Sequence, residues 1–343
     1  MTAVTGLIAG CGSSSSGGKA PASNISGASA ASELSSAITA LGQASTLTAS
    51  LKLGTSGSQL LTFVHAQDKK ANLTAQQASA IAGASISFEV AAPSGKTLSE
   101  MSGLTNSGSA NISVTDNGKT WFTIRVANQT LYLQADLKDL LNTIGQAEAY
   151  RQITSAGGAL PSFMSALVQG KWISLPLATL KSLTGALGAG APTAASTAQA
   201  SHFLDLLKTL LTKDVTVTKA SAGGTDTLTL TTNLRTFARD FVTEFASAVP
   251  AAGSALKNAN PSKAPNKNVS LVATVSGGAL TGLTFDLAQF SKTGKGGSLP
   301  LQLTLARSGP AIGAPPGAVA VDLSQLGSLL GSFGGGSGGS SGF

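Results

Sequence analysis

KTWFTIRVANQTLYLQADLKDLLNTIG, residues 119–145, carries a strand, a turn, a second strand and a capped helix in unbroken succession. Phe122, Ile124 and Val126 alternate with Thr123, Arg125 and Ala127, which is the period of a strand with one covered face. After Ala127, Asn128 and Gln129 the alternation resumes at Leu131 and Leu133, so the two runs read as a hairpin. Asp136 stands where an N-cap carboxylate accepts the free amides of a first helical turn. Leu137, Leu140, Leu141 and Ile144 then fall at i, i+3, i+4 and i+7 before Gly145 ends the run. No residue of the stretch has the chemistry of a nucleophile, a general base or a metal ligand.

The same handover from strand to capped helix recurs. Residues 172–175 lead into Pro176, with Leu177, Leu180 and Leu183 behind it; Phe285 precedes Asp286, Leu287 and Phe290; residues 319–321 precede Asp322, Leu323, Leu326, Leu329 and Leu330. The spacing of these units is too uneven for a solenoid repeat.

Toward the N-terminus, Leu34, Ile38 and Leu41 predict a short helix closed by Gly42, and residues 47–53 predict a strand. Residues 60–65 continue the strand pattern and place His65 at its end; Ile86, Phe88 and Val90 form a further strand, and residues 111–114 lead back to the hairpin. Toward the C-terminus, residues 163–168 predict a helix, as do Phe203, Leu206, Leu207, Leu210 and Leu211. Residues 215–217 and 227–230 pair across Gly223 and Gly224, and residues 270–275, 280–285 and 299–305 form a closing antiparallel meander. The longest helix, residues 233–249, sets Leu234, Phe237, Phe241, Phe245 and Val249 opposite Arg235, Arg239, Asp240 and Glu244. Such a stripe suits ordinary core packing, and the same residues at the same spacing suit the wall of a cavity for acyl chains.

Composition narrows the function classes. Charged residues are 11% of the chain, against roughly 25% in ordinary soluble domains, and Ser, Thr, Ala and Gly fill the deficit. The formal charge of +7 is spread along the chain without a basic stripe or an aromatic stacking platform, which argues against a nucleic-acid partner. Cys11, the single cysteine, rules out an intrachain disulfide. Two histidines leave little material for general base catalysis, and nothing at metal-ligand spacing joins them. Residues 95–97 and 118–120 end like a phosphate-binding loop but lack its first glycine, and both read as turns. Residues 254–257 and 292–294 match two acyl-serine signatures, but they lie too close together and lack the third. The chain therefore reads as a non-enzyme that needs no cofactor.

Ile8-Ala9-Gly10-Cys11 resembles the lipobox that ends the signal peptide of bacterial lipoproteins, and GSSSSGG at 12–18 suits a tether behind a lipid anchor. Residues 1–10 lack the basic end and long apolar core of a leader, so they read as the remnant of a longer one. The expected organisation is a truncated lipoprotein signal at 1–11, a disordered tether at 12–31, one folded domain at 32–331 and a disordered Gly/Ser tail at 332–343. A lipidated Cys11 would anchor the chain on the extracytoplasmic face of the cell membrane.

The lipobox, the tether, LYLQADLKDLL at 131–141 and GKWISLP at 170–176 together resemble the actinobacterial cell-envelope lipoproteins of the LppX/LprG group and the wider LolA/LolB-like carriers. The resemblance implies a strongly curved antiparallel sheet, a half-barrel, that wraps helices and encloses a cavity for acyl chains. Independently of it, the alternating strands and the absence of a parallel βαβ rhythm give an α+β domain with an antiparallel sheet covered on one face. Two functions remain open from the sequence: a noncatalytic, membrane-anchored carrier of a lipid, glycolipid or other apolar ligand, and a structural or protein-binding envelope lipoprotein with a solid core. For the first, the candidate cavity residues are Phe237, Phe241 and Phe245, Leu137 and Leu141 of the central helix, and Tyr132 and Trp172 at the mouth.

Overall fold

Among the described residues a single sheet of 13 strands organises the molecule, in the order β1-β8-β9-β10-β11-β12-β2-β3-β4-β5-β6-β7-β13. The computed structural model describes residues 23–101, 108–155, 160–179, 213, 215–248, 261–291 and 296–322, and for 241, 244–248 and 261 the backbone alone. The class is α+β, and the sheet is curled.

Two antiparallel meanders build it. The first comprises β2 (Thr46–Leu53), β3 (Ala84–Ala91), β4 (Ser109–Asp116), β5 (Lys119–Ala127), β6 (Thr130–Ala135) and β7 (Ile173–Pro176). The second comprises β8 (Val215–Ala222), β9 (Thr225–Asn233), β10 (Asn268–Ser276), β11 (Ala279–Asp286) and β12 (Pro300–Ala306). They join where β12 pairs β2, with Leu301 opposite Leu53 and Leu303 opposite Leu51. Short strands finish the edges: β1 (Ser23–Ile25) is antiparallel to β8, and β13 (Val319–Ala320) is parallel to β7.

The central stretch forms as its sequence predicts. β5 and β6 are joined by Asn128 and Gln129, whose φ angles of 51° and 58° make the two-residue turn that matches strand twist. Asp136 accepts the amide of Asp139 at 3.0 Å and so caps α4 (Leu137–Thr143), and Gly145 at φ 82° ends it. The equivalent cap at Asp286 starts a 3-10 turn, Leu287–Phe290, with Ala288 N at 2.9 Å. The strand of the unit at Asp322 is present as β13, while its helix at 323–330 and the helix expected at 203–211 lie outside the described residues, as do most of the helix after Pro176 and the segments 254–257 and 292–294. The turns expected at Gly95 and Gly118 are present, at φ 77° and 83°.

Two expectations are corrected. Residues 60–65 are not a strand but part of α2 (Gly57–Gln67), because Ser56 and Gln59 form a reciprocal capping box that fixes the first turn. Thr74 and Gln77 do the same for α3 (Ala75–Gly83), so a helical pair connects β2 to β3 and His65 lies in the last turn of α2. At the N-terminal end, regular structure begins earlier than residue 32: β1 is followed by Ser26 as N-cap of α1 (Gly27–Gly42), whose buried face is mostly alanine and carries little of the usual apolar signal.

The core is divided. Ala30, Ala31 and Leu34 of α1 pack on Val217, Leu228, Leu230 and Ala273, with Leu228 and Ala273 at 0% exposure. At the other wing, Phe163 and Ala166 of α6 (Ser162–Val168) pack on Ile173, Leu133 and Val319. The α2–α3 pair closes the end of the sheet near Leu53 through Leu60, Ala78 and Leu299.

Candidate functional site

Between the two sealed wings the same face of the sheet is apolar and open. Register places Leu51, Ile86, Val114 and Phe122 side by side across β2 to β5, with Ala49, Phe88, Ile112 and Ile124 in the next row. Both rows lie on the α1 and α6 side, since Leu303 of β12 opposes Leu51 and Leu133 of β6 opposes Ile124. None of these side chains is buried, and Ile86 and Ile112 are 47% and 36% exposed. A strand residue of this size normally loses most of its surface to a covering layer. Here the described helices supply that layer only at the flanks.

The opposite face is polar and is the one that is covered at this position. Glu89 Oε2 accepts a hydrogen bond from Asn111 Nδ2 at 3.1 Å, and Asn111 Oδ1 accepts one from Arg125 Nε at 3.2 Å. Arg125 lies 5.0 Å over the ring of Trp172 and donates from Nη1 to the carbonyl of Gly313 at 3.1 Å. That carbonyl belongs to a strap, residues 307–318, which leaves β12, accepts a bond from Thr48 Oγ1 at Ser308 O, and crosses to β13. Asn111 and Thr123 are buried on this side, although the alternation along β5 reads Thr123 as outward-facing. The expectation for β5 is thus reversed: Thr123 and Ala127 are buried, while Phe122, Ile124 and Val126 are half-buried on the open face.

The residues expected to line a cavity distribute unevenly. Tyr132 stands opposite Arg125 and is 9% exposed on the polar face; Trp172, stacked on Arg125, is on that side too. Neither is at the mouth of the apolar face, because the alternation that puts Leu131 and Leu133 on one side puts Tyr132 on the other. Leu137 and Leu141 are half-buried on α4. Phe237, Phe241 and Phe245 all fall in α7 (Leu234–Ala248); Phe237 is half-buried, and the side chains of the other two, like Cys11, lie outside the described residues. Sequence reasoning passed over Ile86, Ile112 and Val114, whose signal was the alternation already used to find their strands.

Two cavities flank α4 at the α2–α3 end of the sheet. One, of ≈ 390 Å³, is bounded by the ends of β5 and β6, α4 and the turn at Gln169 and Gly170; the other, of ≈ 380 Å³, lies between α3 and α4 and is bounded by Leu73, Ala80, Ile81, Ala84 and Ile144. Trp121, the extra residue of a bulge between β4 and β5, borders both. Ala84 heads β3 on the apolar face, so the second cavity adjoins that face. Near it, burial pushes the carboxyl of Asp116 up, with Lys119 opposing. Among the described residues no group of His, Cys, Asp and Glu is arranged to hold a metal ion, and no helix is long and apolar enough to cross a membrane.

No family model matches the chain, and no curated protein matches it. Among solved structures, LprF from Mycobacterium bovis aligns at 11% identity over 84% of this chain and 98% of that one, with a TM-score of 0.32.

Proposed function

We propose that the chain binds the hydrocarbon part of a lipid or another apolar molecule on the open face of β12 and β2 to β5, and that it does so without catalysis. The observation that carries this reading is the contrast within one face of one sheet. Leu228 and Ala273 at one wing are fully buried, whereas Ile86 and Ile112 between the wings keep a third to a half of their surface. An apolar strip of this kind gains by covering; at about 25 cal/mol per Å² of apolar area, a single hydrocarbon chain laid along it is a favourable occupant. Binding of this sort requires no reactive group. Ile8-Ala9-Gly10-Cys11 supports anchoring through a lipidated Cys11, which would hold the chain on the extracytoplasmic face of the cell membrane.

Mass spectrometry of organic extracts from protein purified from its native membrane tests the first part. Near-stoichiometric lipid, displaced by a fluorescent fatty acid that wild type binds and Ile112→Glu does not, is the expected result. Absence of both lipid and fatty-acid binding sinks the reading and leaves a structural or protein-binding role. Detergent-phase partitioning tests the anchor: Cys11→Ser should move the full-length protein into the aqueous phase, and a wild type already in that phase refutes it.

A further inference from the structure

β9, β10 and β11 share one corner of the sheet, where Asn233 stands opposite Asn268 and Phe285 opposite Leu271. The segments that flank these strands meet there. Leu234 N donates to Lys267 O at 2.9 Å, and Arg235 Nε donates to Ala264 O at 2.8 Å, so the loop before β10 is laced to the first turn of α7. On the other side of that loop, Lys267 lies 5.7 Å over the ring of Phe290, which ends the 3-10 turn behind β11. Across residues 213, 233–240, 261–268 and 286–291 the cations are Lys213, Arg235, Arg239, Lys263 and Lys267, and the carboxylates are Asp240 and Asp286. Both carboxylates are engaged. Asp240 is buried and held by Lys213 at 2.9 Å and Arg239 at 2.7 Å, and Asp286 accepts from Ala288 N, Leu299 N and the Ser298 hydroxyl. Among the described residues Arg235, Lys263 and Lys267 enter no ion pair, and the first two are exposed.

Phe290 is 41% exposed at the centre of these charges, and its position is fixed. Gln289 Nε2 donates to Ser270 O at 2.9 Å and to Asp286 O at 3.0 Å, which clamps the turn to β10. The ring lies 5.5 Å from that of Phe285, which through its partner Leu301 belongs to the apolar face. A lone exposed ring calls for no explanation, but a rigidly presented ring among cations without counterions has the chemistry of an interfacial contact. A soluble polyanion would take up the charges and leave the phenyl group in water. Anionic lipid takes up both, because lysine and arginine meet the headgroups while the ring reaches the acyl boundary. We propose that this corner docks the protein on the surface of an anionic lipid bilayer. The docking is separate from the anchor at Cys11, which would hold the chain near a membrane without setting the face it turns to it. It is separate also from the apolar-ligand reading, whose face it only adjoins.

Full-length Cys11→Ser protein, which cannot be acylated, is sedimented with vesicles of phosphatidylcholine alone and of phosphatidylcholine mixed equally with phosphatidylglycerol. It should partition onto the mixed vesicles, far less onto the neutral ones, and be released by added salt. In that background Lys263→Gln combined with Lys267→Gln should weaken partitioning about twentyfold, from about fivefold for each cation near an anionic surface. Phe290→Ala should weaken it about tenfold. Lys96→Gln combined with Arg307→Gln removes the same charge beyond the opposite ends of β3 and β12, and should change partitioning by about twofold at most. Equal losses in the two double variants, equal binding to both kinds of vesicle, or no binding to either overturns the docking corner. Phe290→Ala partitioning as its parent does overturns the bilayer in favour of a soluble anion. Capture by polyglutamate without capture by vesicles overturns it in favour of an acidic protein. A fluorescent fatty acid titrated without vesicles reads the apolar face on its own, so failure of the docking is told apart from failure of the apolar ligand.

Discussion

Truncating Ile86 and Leu228 to alanine, one at a time, separates an open face from a filled core. Leu228 is 0% exposed beneath α1, and its removal leaves a void among Ala31, Leu34, Val217 and Ala273. Such losses run to about 3–5 kcal/mol. Ile86 is 47% exposed, so it has surrendered only half of the roughly 2–3 kcal/mol available from full burial, and solvent reaches the site once the side chain is gone. Its truncation should cost about 1 kcal/mol. At about 2–4 °C per kcal/mol for a domain of this order, Leu228→Ala should lower Tm by about 6–20 °C and Ile86→Ala by about 2–4 °C. Differential scanning calorimetry on lipid-free protein measures both. A fluorescent fatty acid titrated against Ile86→Glu completes the experiment, because hydrocarbon seated there must desolvate a carboxylate. If Ile86→Ala costs as much as Leu228→Ala, the face is covered and the reasoning fails; if Ile86→Glu binds fatty acid as wild type does, the ligand lies elsewhere.

Asp286 accepts from Ala288 N at 2.9 Å, Leu299 N at 2.8 Å and the Ser298 hydroxyl at 2.7 Å, so Asp286→Ala should cost about 2 kcal/mol in urea melts. Burial raises its carboxyl, but these three donors outweigh that and leave it below the ordinary value; its contribution is therefore present above about pH 4 and fades as pH falls through the folded value, and an acid-unfolding midpoint unchanged in the alanine variant contradicts this. Gln129 holds φ 58° in the β5–β6 turn, where glycine bears no strain, so Gln129→Gly should raise stability by about 0.5–1 kcal/mol; a loss of stability would show that the turn is set by something other than its backbone. Arg125→Ala removes the bond to Gly313 O, the bond to Asn111 and the contact with Trp172, so trypsin should cut at exposed Arg307 severalfold faster; an unchanged rate means the strap is held without it.

Local grammar was legible where a few adjacent residues decide the outcome. Asn128, Gln129 and Asp136 specify a turn and a cap by their own hydrogen bonds and dihedrals, and the alternation at Ile86, Phe88 and Val90 specifies a strand whatever lies above it. Which face is covered is a different matter. Period 2 divides β5 into two sets without saying that a strap from residue 307 onward seals the set containing Thr123, and the strap itself has no period to betray it. Residues 60–65 failed for the opposite reason, since a short apolar run fits strand or helix until the box formed by Ser56 and Gln59 is taken into account. The basic corner was illegible because Arg235, Lys267 and Phe290 meet only through the pairing of β10 with β9 and β11.

The seam between β12 and β2 sets the order in which the molecule can be completed. Within each meander the paired strands follow one another in the chain, but Leu303 must find Leu51 across about three quarters of the chain. Closing so long a loop costs conformational entropy before any contact rewards it, so the seam should be the slow step of folding. Ile86 and Leu303 stand on either side of Leu51, so the β12 edge joins the apolar floor of β2 to β5 only when the two halves dock. A chain released before β12 forms leaves β2 and β11 unpaired, and these two edges invite pairing with another chain.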